Sequence, residues 1–139
     1  METKRAVIYS HGFCGADNAL KDAEELGKAM QSWAKEQGLL PVELIIEISD
    51  QSCGIFSPGL DRCTSSLLND DADVVVVFCK NAISDDINDV IDFISEIENE
   101  GKDVISLRND LPNEEGPHRF GADRPKCEVI SFVKVINLV

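Results

Sequence analysis

Three side chains at the end of the first apolar segment could do covalent chemistry: Ser10, His11 and Cys14 in the run RAVIYSHGFC. A serine hydroxyl or a cysteine thiolate attacks phosphorus or carbon once a base takes its proton, and an imidazole can be that base. Cys53 and Cys79 follow later apolar segments, so His11, Cys14, Cys53 and Cys79 also make a candidate zinc set. The chain has no C-x-x-C pair, and the simpler reading is that no metal and no cofactor is bound. Cys14 then closes a strand as a small side chain, and Ser10 is a structural hydroxyl. The carboxylates Asp70, Asp71 and Asp73, and the pair Asp85 and Asp86, could suggest magnesium. A loop before a strand and the first turn of a helix hold such groups without metal, the latter through the helix dipole. Gly12 and Gly15 lack the G-x-G-x-x-G spacing of a phosphate loop.

These residues must be positioned by alternating apolar segments. Residues 5–10 (RAVIYS) read as a buried strand ended by His11-Gly12. Over 17–37, Leu20, Ala23, Leu26, Met30, Trp33 and Ala34 recur at three and four, an amphipathic helix stopped by Gly38. Residues 41–48 (PVELIIEI) are a second strand, 49–57 a polar loop, and Pro58 opens a short helix to about Leu68. The valine run at 73–78 suits a central parallel strand covered on both faces. A helix over 85–99 buries Ile87, Val90, Ile91, Ile94 and Ile97 and is capped by Gly101. Residues 103–107 and 128–138 are the fourth and fifth strands, separated by a polar, proline-containing loop at 109–125 that carries a solvated His118. The expected fold is α/β: three layers, a mostly parallel five-stranded sheet in flavodoxin-like order, strand one central beside strand three. Candidate residues fall at the carboxyl ends of strands one to three, where open α/β sheets bind ligands.

Composition narrows the function classes. The 139 residues make one domain, and 26 acidic residues against 13 basic ones give a net charge of −13. Unaided DNA binding draws its affinity from cations set against phosphates, so such a chain should hold DNA only weakly or through a partner. No run approaches the ~20 apolar residues of a membrane span, and there is no signal-peptide pattern. Five scattered cysteines without such a signal read as reduced thiols in a cytoplasm.

Specific residues add a resemblance. The opening RAVIYSHGF resembles the Y-x-R-V-S strand of the serine recombinase (resolvase/invertase) catalytic domain. Cys53-Gly54 and Ser57-Pro58-Gly59-Leu60 resemble that family's S-G pair and R-P-G-L. Residues 73–107, DVVVVFCKNAISDDINDVIDFISEIENEGKDVISL, are similar without a gap to its valine strand, L-D-R-L-x-R turn and following helix. The resemblance covers about residues 4–107 and implies a resolvase-like fold. It also implies a chemistry in which a serine displaces a DNA phosphodiester, aided by arginines. At those positions stand His11 for arginine and Phe13 for the serine, Ser57 for arginine, and Asn81, Ala82 and Asp85 for aspartate and two arginines. Each lost donor typically costs ~10²-fold or more, so family-type catalysis should be absent. The family's dimer-forming helix and DNA-binding region are not expected within these residues.

Three functions compete. One is an inactive recombinase-like binding or regulatory module that pairs with a second copy or an intact recombinase. Another is an active strand-transfer enzyme or nuclease using Cys14 or Ser10, for which Arg62, Lys80 and Arg108 are the nearby cations. A third is a small-ligand-binding flavodoxin-like domain. The first requires only the fold and is preferred.

Overall fold

A computed structural model describes residues 3–50, 54–108 and 130–139. Cys53, Cys127, His118, Val129 and the expected loop at 109–125 lie outside the described residues. In chain order the elements are β1 (Arg5–Phe13), α1 (Ala19–Glu36), β2 (Leu40–Ser49), α2 (Pro58–Leu68), β3 (Val74–Val77), α3 (Ile87–Asn99), β4 (Asp103–Ser106) and β5 (Ile130–Asn137). Short 3-10 turns occupy Gly54–Phe56 and Lys80–Ala82.

The sheet order is β4-β3-β1-β2-β5. The first four strands are parallel, and β5 runs antiparallel to β2. The first four thus follow the flavodoxin-like order, while the fifth lies at the opposite edge. An antiparallel pairing needs no helical crossover, so the fifth strand is not bound to follow β4. The chain moves one way from β1 to β2 and the other way from β2 to β3 and on to β4. Right-handed crossovers therefore place α1 on one face and α2 and α3 on the other.

Side-chain alternation divides the core accordingly. Val7, Tyr9, Ile45, Val75 and Val77 pack under α2 and α3 with Leu60, Cys63, Leu67, Val90, Phe93 and Ile97. Ala6, Ile8, Leu44, Ile46, Val74 and Val76 pack under α1 with Ala23, Met30 and Ala34. Gly27 lets α1 approach β2, since a Cβ there would meet Leu44 Cδ1 at 2.8 Å. Among the described residues, no helix is long and apolar enough to cross a membrane.

The two helical stripes need correction. On α1, Leu20 is exposed and the buried row is Ala23, Gly27, Met30 and Ala34. On α3, Val90, Phe93 and Ile97 are buried, while Ile91 is 54% exposed. Adjacent positions on a helix diverge by about 100°, so Val90 and Ile91 cannot share a narrow seam. The row at 90, 93, 94 and 97 is the one that meets the core beneath α2 and α3.

Three of the acidic groups have partners within the fold, Asp70, Asp73 and Asp86. Asp73 accepts from the backbone N–H of Arg5 at 2.8 Å and from its guanidinium at 3.2 and 3.3 Å. Asp70 meets Lys102 Nζ at 2.6 Å. This lattice ties the amino ends of β1 and β3 to the turn before β4. Asp86 caps α3 by accepting from Asn88 N at 2.9 Å.

Truncating the corrected stripe should separate the two readings of α3. Phe93→Ala is expected to lower unfolding free energy by about 3–5 kcal/mol. Ile91→Ala should change it by less than about 1 kcal/mol, both read from urea denaturation. Equal losses would restore the stripe through Ile91.

Candidate functional site

The site lies at the carboxyl ends of β1, β2 and β3. Because β1 feeds α1 on one face while β2 and β3 feed the other, the chain parts there, which is where open α/β sheets bind ligands. β1 outlasts β3 and carries His11, Gly12 and Phe13 past it, alongside Glu47, Ile48 and Ser49 of β2.

Strand alternation decides which candidates reach this site. Ser10 points to the other face, where its buried hydroxyl donates to Ala23 O at 2.7 Å. His11 is half-buried on the α2 side, and its Nε2 lies 2.8 Å from Ser49 Oγ. Phe13 ends β1 and is 55% exposed. Cys14 is half-buried against the α1-side core, its N–H donating to Ser49 O at 3.0 Å. Cys79 is half-buried just before the Lys80–Ala82 turn. Of the zinc set, His11, Cys14 and Cys79 do not gather into a metal-holding group, and Cys53 lies outside the described residues.

Of the other positions that the resemblance implies, Ser57 and Ala82 have local roles. Ser57 is the N-cap of α2 and accepts from Leu60 N at 3.3 Å. Ala82 packs against the α2–α3 core. Asn81 is exposed, and Asp85 is half-buried before the α3 cap. Of the basic candidates, Arg62 forks onto Glu43 at 2.9 and 3.2 Å, and Arg108 stacks over Phe78 at 5.7 Å. Lys80 is half-buried in its turn.

Sequence reading missed the group that organises the floor of the site. Glu47 is fully buried in β2. Tyr9 Oη donates to its Oε1 at 2.6 Å, and Gly59 N–H donates to its Oε2 at 2.9 Å. Gly59 is the second residue of α2, so the carboxylate sits where a helix dipole favours an anion. A Cβ at residue 59 would meet Oε1 at 2.7 Å. Among the described residues no lysine or arginine pairs with Glu47.

Electrostatics follow from this burial. Burial, then the Glu47 charge, pushes the Tyr9 phenol well above its ordinary range. The same two causes raise the Cys63 thiol well above normal, so it is inert. Burial lowers His11 below its ordinary 6.5, against the opposing pull of Glu47 and Asp50. His11 is therefore neutral at pH 7. The site offers a neutral imidazole, a hydroxyl, two half-buried thiols and an occupied helix N-terminus. Among the described residues, Arg62 is paired with Glu43 and Arg108 lies over Phe78, so these two do not form the grouped guanidinium ions that stabilise a phosphoryl transition state.

No family model matches the sequence. No curated protein matches it either. Solved structures do match in fold. The C-terminal catalytic domain of ISC1926 TnpA, an IS607-like serine recombinase, is similar at TM-score 0.65 and 18% identity, covering 76% of this chain and 71% of that one. The N-terminal catalytic domain of TP901-1 integrase is similar at TM-score 0.64 and 18% identity, covering 75% and 77%. The first ORF in transposon ISC1904 from Sulfolobus solfataricus P2 is similar at TM-score 0.59 and 13% identity, covering 81% and 73%. The chain has the fold of serine recombinase catalytic domains, as the strand and turn motifs implied.

Two measurements check this floor. Glu47→Ala leaves Tyr9 Oη and Gly59 N–H buried without their acceptor, and should destabilise by about 2–4 kcal/mol. Gly59→Ala should cost about 1–3 kcal/mol by overpacking. An unchanged urea midpoint in either variant would remove Glu47 from this role. For pH, the unfolded chain protonates its histidine near the ordinary 6.5 while folded His11 resists. Asp73, held below the usual carboxylate range by Arg5, acts in the same direction at lower pH. Stability should decline as pH falls below about 6.5 and again through the carboxylate range. In NMR the His11 ring should titrate below 6.5, with His118→Gln assigning the signal.

Proposed function

We propose that this domain is a serine recombinase-like module, related to site-specific DNA recombination, that no longer performs strand transfer and serves a binding or regulatory role. The observation that carries this reading is the occupancy of the strand-end site. His11, Phe13, Ser57, Asn81, Ala82 and Asp85 stand where the resembled family places its nucleophile, its aspartate and four arginines. Ser57 is committed to capping α2, and Arg62 is committed to Glu43. Two similar folds come from a TnpA recombinase and a transposon reading frame, and another from an integrase. Those contexts support a setting in recombination and mobile elements.

The partner in this reading is a second copy of the domain or an intact recombinase, met in the cytoplasm, with DNA contacted weakly or through that partner. The contact surface is the outer edge of β5, where Phe132 on the α1 face and Val135 on the α2 face are 39% and 44% exposed. Val133, Ile136 and Leu138 are half-buried against the cores. Strand transfer or nuclease action through Cys14 is the competing activity, since the Ser10 hydroxyl is turned toward α1.

The test uses supercoiled and nicked DNA. No covalent protein–DNA adduct should form, and mobility shifts should show no sub-micromolar affinity at ~0.15 M salt, because a charge of −13 repels phosphate. An adduct lost on Cys14→Ala would establish the thiol enzyme instead. In sedimentation, Phe132→Asp or Val135→Asp should weaken association. A strictly monomeric wild type that also fails to bind an intact recombinase would overturn the surface.

A further inference from the structure

We propose that Ser49 and His11 form a nucleophile–base pair that accepts an acyl group from small esters or thioesters. This activity is separate from strand transfer and uses a hydroxyl one strand away from the position that Phe13 fills. Ser49 ends β2, and its Oγ lies 2.8 Å from His11 Nε2, within reach for direct proton transfer. The pair is set by the sheet. His11 lies beside Glu47 in the β1–β2 register and Phe13 beside Ser49, so His11 and Ser49 are diagonal neighbours on one face.

The backbone holds the hydroxyl in place, since Ser49 O accepts from Cys14 N at 3.0 Å. Ser49 is 2% exposed while His11 is half-buried, so access is narrow and favours small substrates. A neutral imidazole is the form that removes a proton, and burial keeps His11 in that form at pH 7. The charges of Glu47 and Asp50 favour the imidazolium that follows.

In the reaction, Ser49 Oγ bonds to the acyl carbon and passes its proton to His11 Nε2. The ester C–O bond then breaks, and the departing alkoxide takes that proton and leaves as an alcohol. Water, deprotonated by the same imidazole, cleaves the acyl-serine to acid and free hydroxyl. The first N–H donors of α2 are already used, Gly59 by Glu47 and Leu60 by Ser57. They leave no oxyanion hole at that helix end, which slows acylation and deacylation alike, so acylation should outpace turnover only with an activated leaving group.

The probe is an uncharged alkyl fluorophosphonate, whose P–F bond breaks as Ser49 Oγ bonds to phosphorus, with the proton passing to His11. Peptide mass spectrometry of the wild-type protein should place the adduct on Ser49. Labelling should rise with pH to a plateau by neutrality, following His11. It should vanish in Ser49→Ala, fall at least about tenfold in His11→Gln, and persist in Cys14→Ala. p-Nitrophenyl acetate should give a burst followed by slow release. Circular dichroism verifies that each variant is folded, and if His11→Gln is not, the wild-type pH profile decides. No adduct, an adduct on another residue, or labelling indifferent to both His11→Gln and pH would overturn the pair.

Discussion

A carboxylate sealed from water, with no lysine or arginine paired to it among the described residues, constrains this molecule more than any other single group. Taking Glu47 out of solvent costs several kcal/mol unless its oxygens are met, and the chain meets them with Tyr9 Oη, Gly59 N–H and the positive end of α2. Each partner imposes a requirement. Residue 59 cannot carry a Cβ without striking Oε1, so it is glycine. Pro58 before it starts the helix where an N–H has no partner anyway, and Ser57 closes the turn as the cap. The start of α2 is therefore fixed to β1 and β2 through one side chain. The same contacts set the height of the site floor and the field that His11 experiences.

Much of the fold was legible because its signals are local. The valine run announced β3, Gly38 and Gly101 marked helix ends through their positive φ, and Pro58 marked the start of α2. The phase of α3 was not legible, because Ile87, Val90, Ile91, Ile94 and Ile97 offer two overlapping stripes. Only the surface that α3 packs against selects the one containing Phe93. Gly27 gave no signal either, since its role depends on how near Leu44 comes across the helix–sheet contact.

The site was partly legible for the same physical reason. His11 and Cys14 follow an apolar strand, so their place at the carboxyl edge could be read directly. The partnership of His11 with Ser49 depends on the register of β1 against β2, which shifts at Ala6 and Val7. A shift of one residue would exchange the faces and send Ser49 toward α1. Glu47 reads in PVELIIEI as a polar interruption of a strand. Its burial follows only once Gly59 and Tyr9 are known to converge on it. Such a buried charge is hard to read from sequence, because its partners come from two other elements, β1 and α2.

Similar folds at 18% identity can hold different chemistry because the scaffold's demands and the site's demands fall on different residues. Val74–Val77, Gly101 and the α2 cap serve the sheet and its crossovers whatever occupies the strand-end site. Phosphodiester displacement adds a demand for clustered guanidinium groups, since charge accumulates on non-bridging oxygens. Here the anion position at the head of α2 is filled from within by Glu47, and Arg62 is drawn to Glu43 instead. A buried carboxylate in that position repels a phosphate brought to the same helix end. It disfavours an uncharged acyl carbon far less, because a neutral imidazole beside a hydroxyl needs no cation to begin that attack.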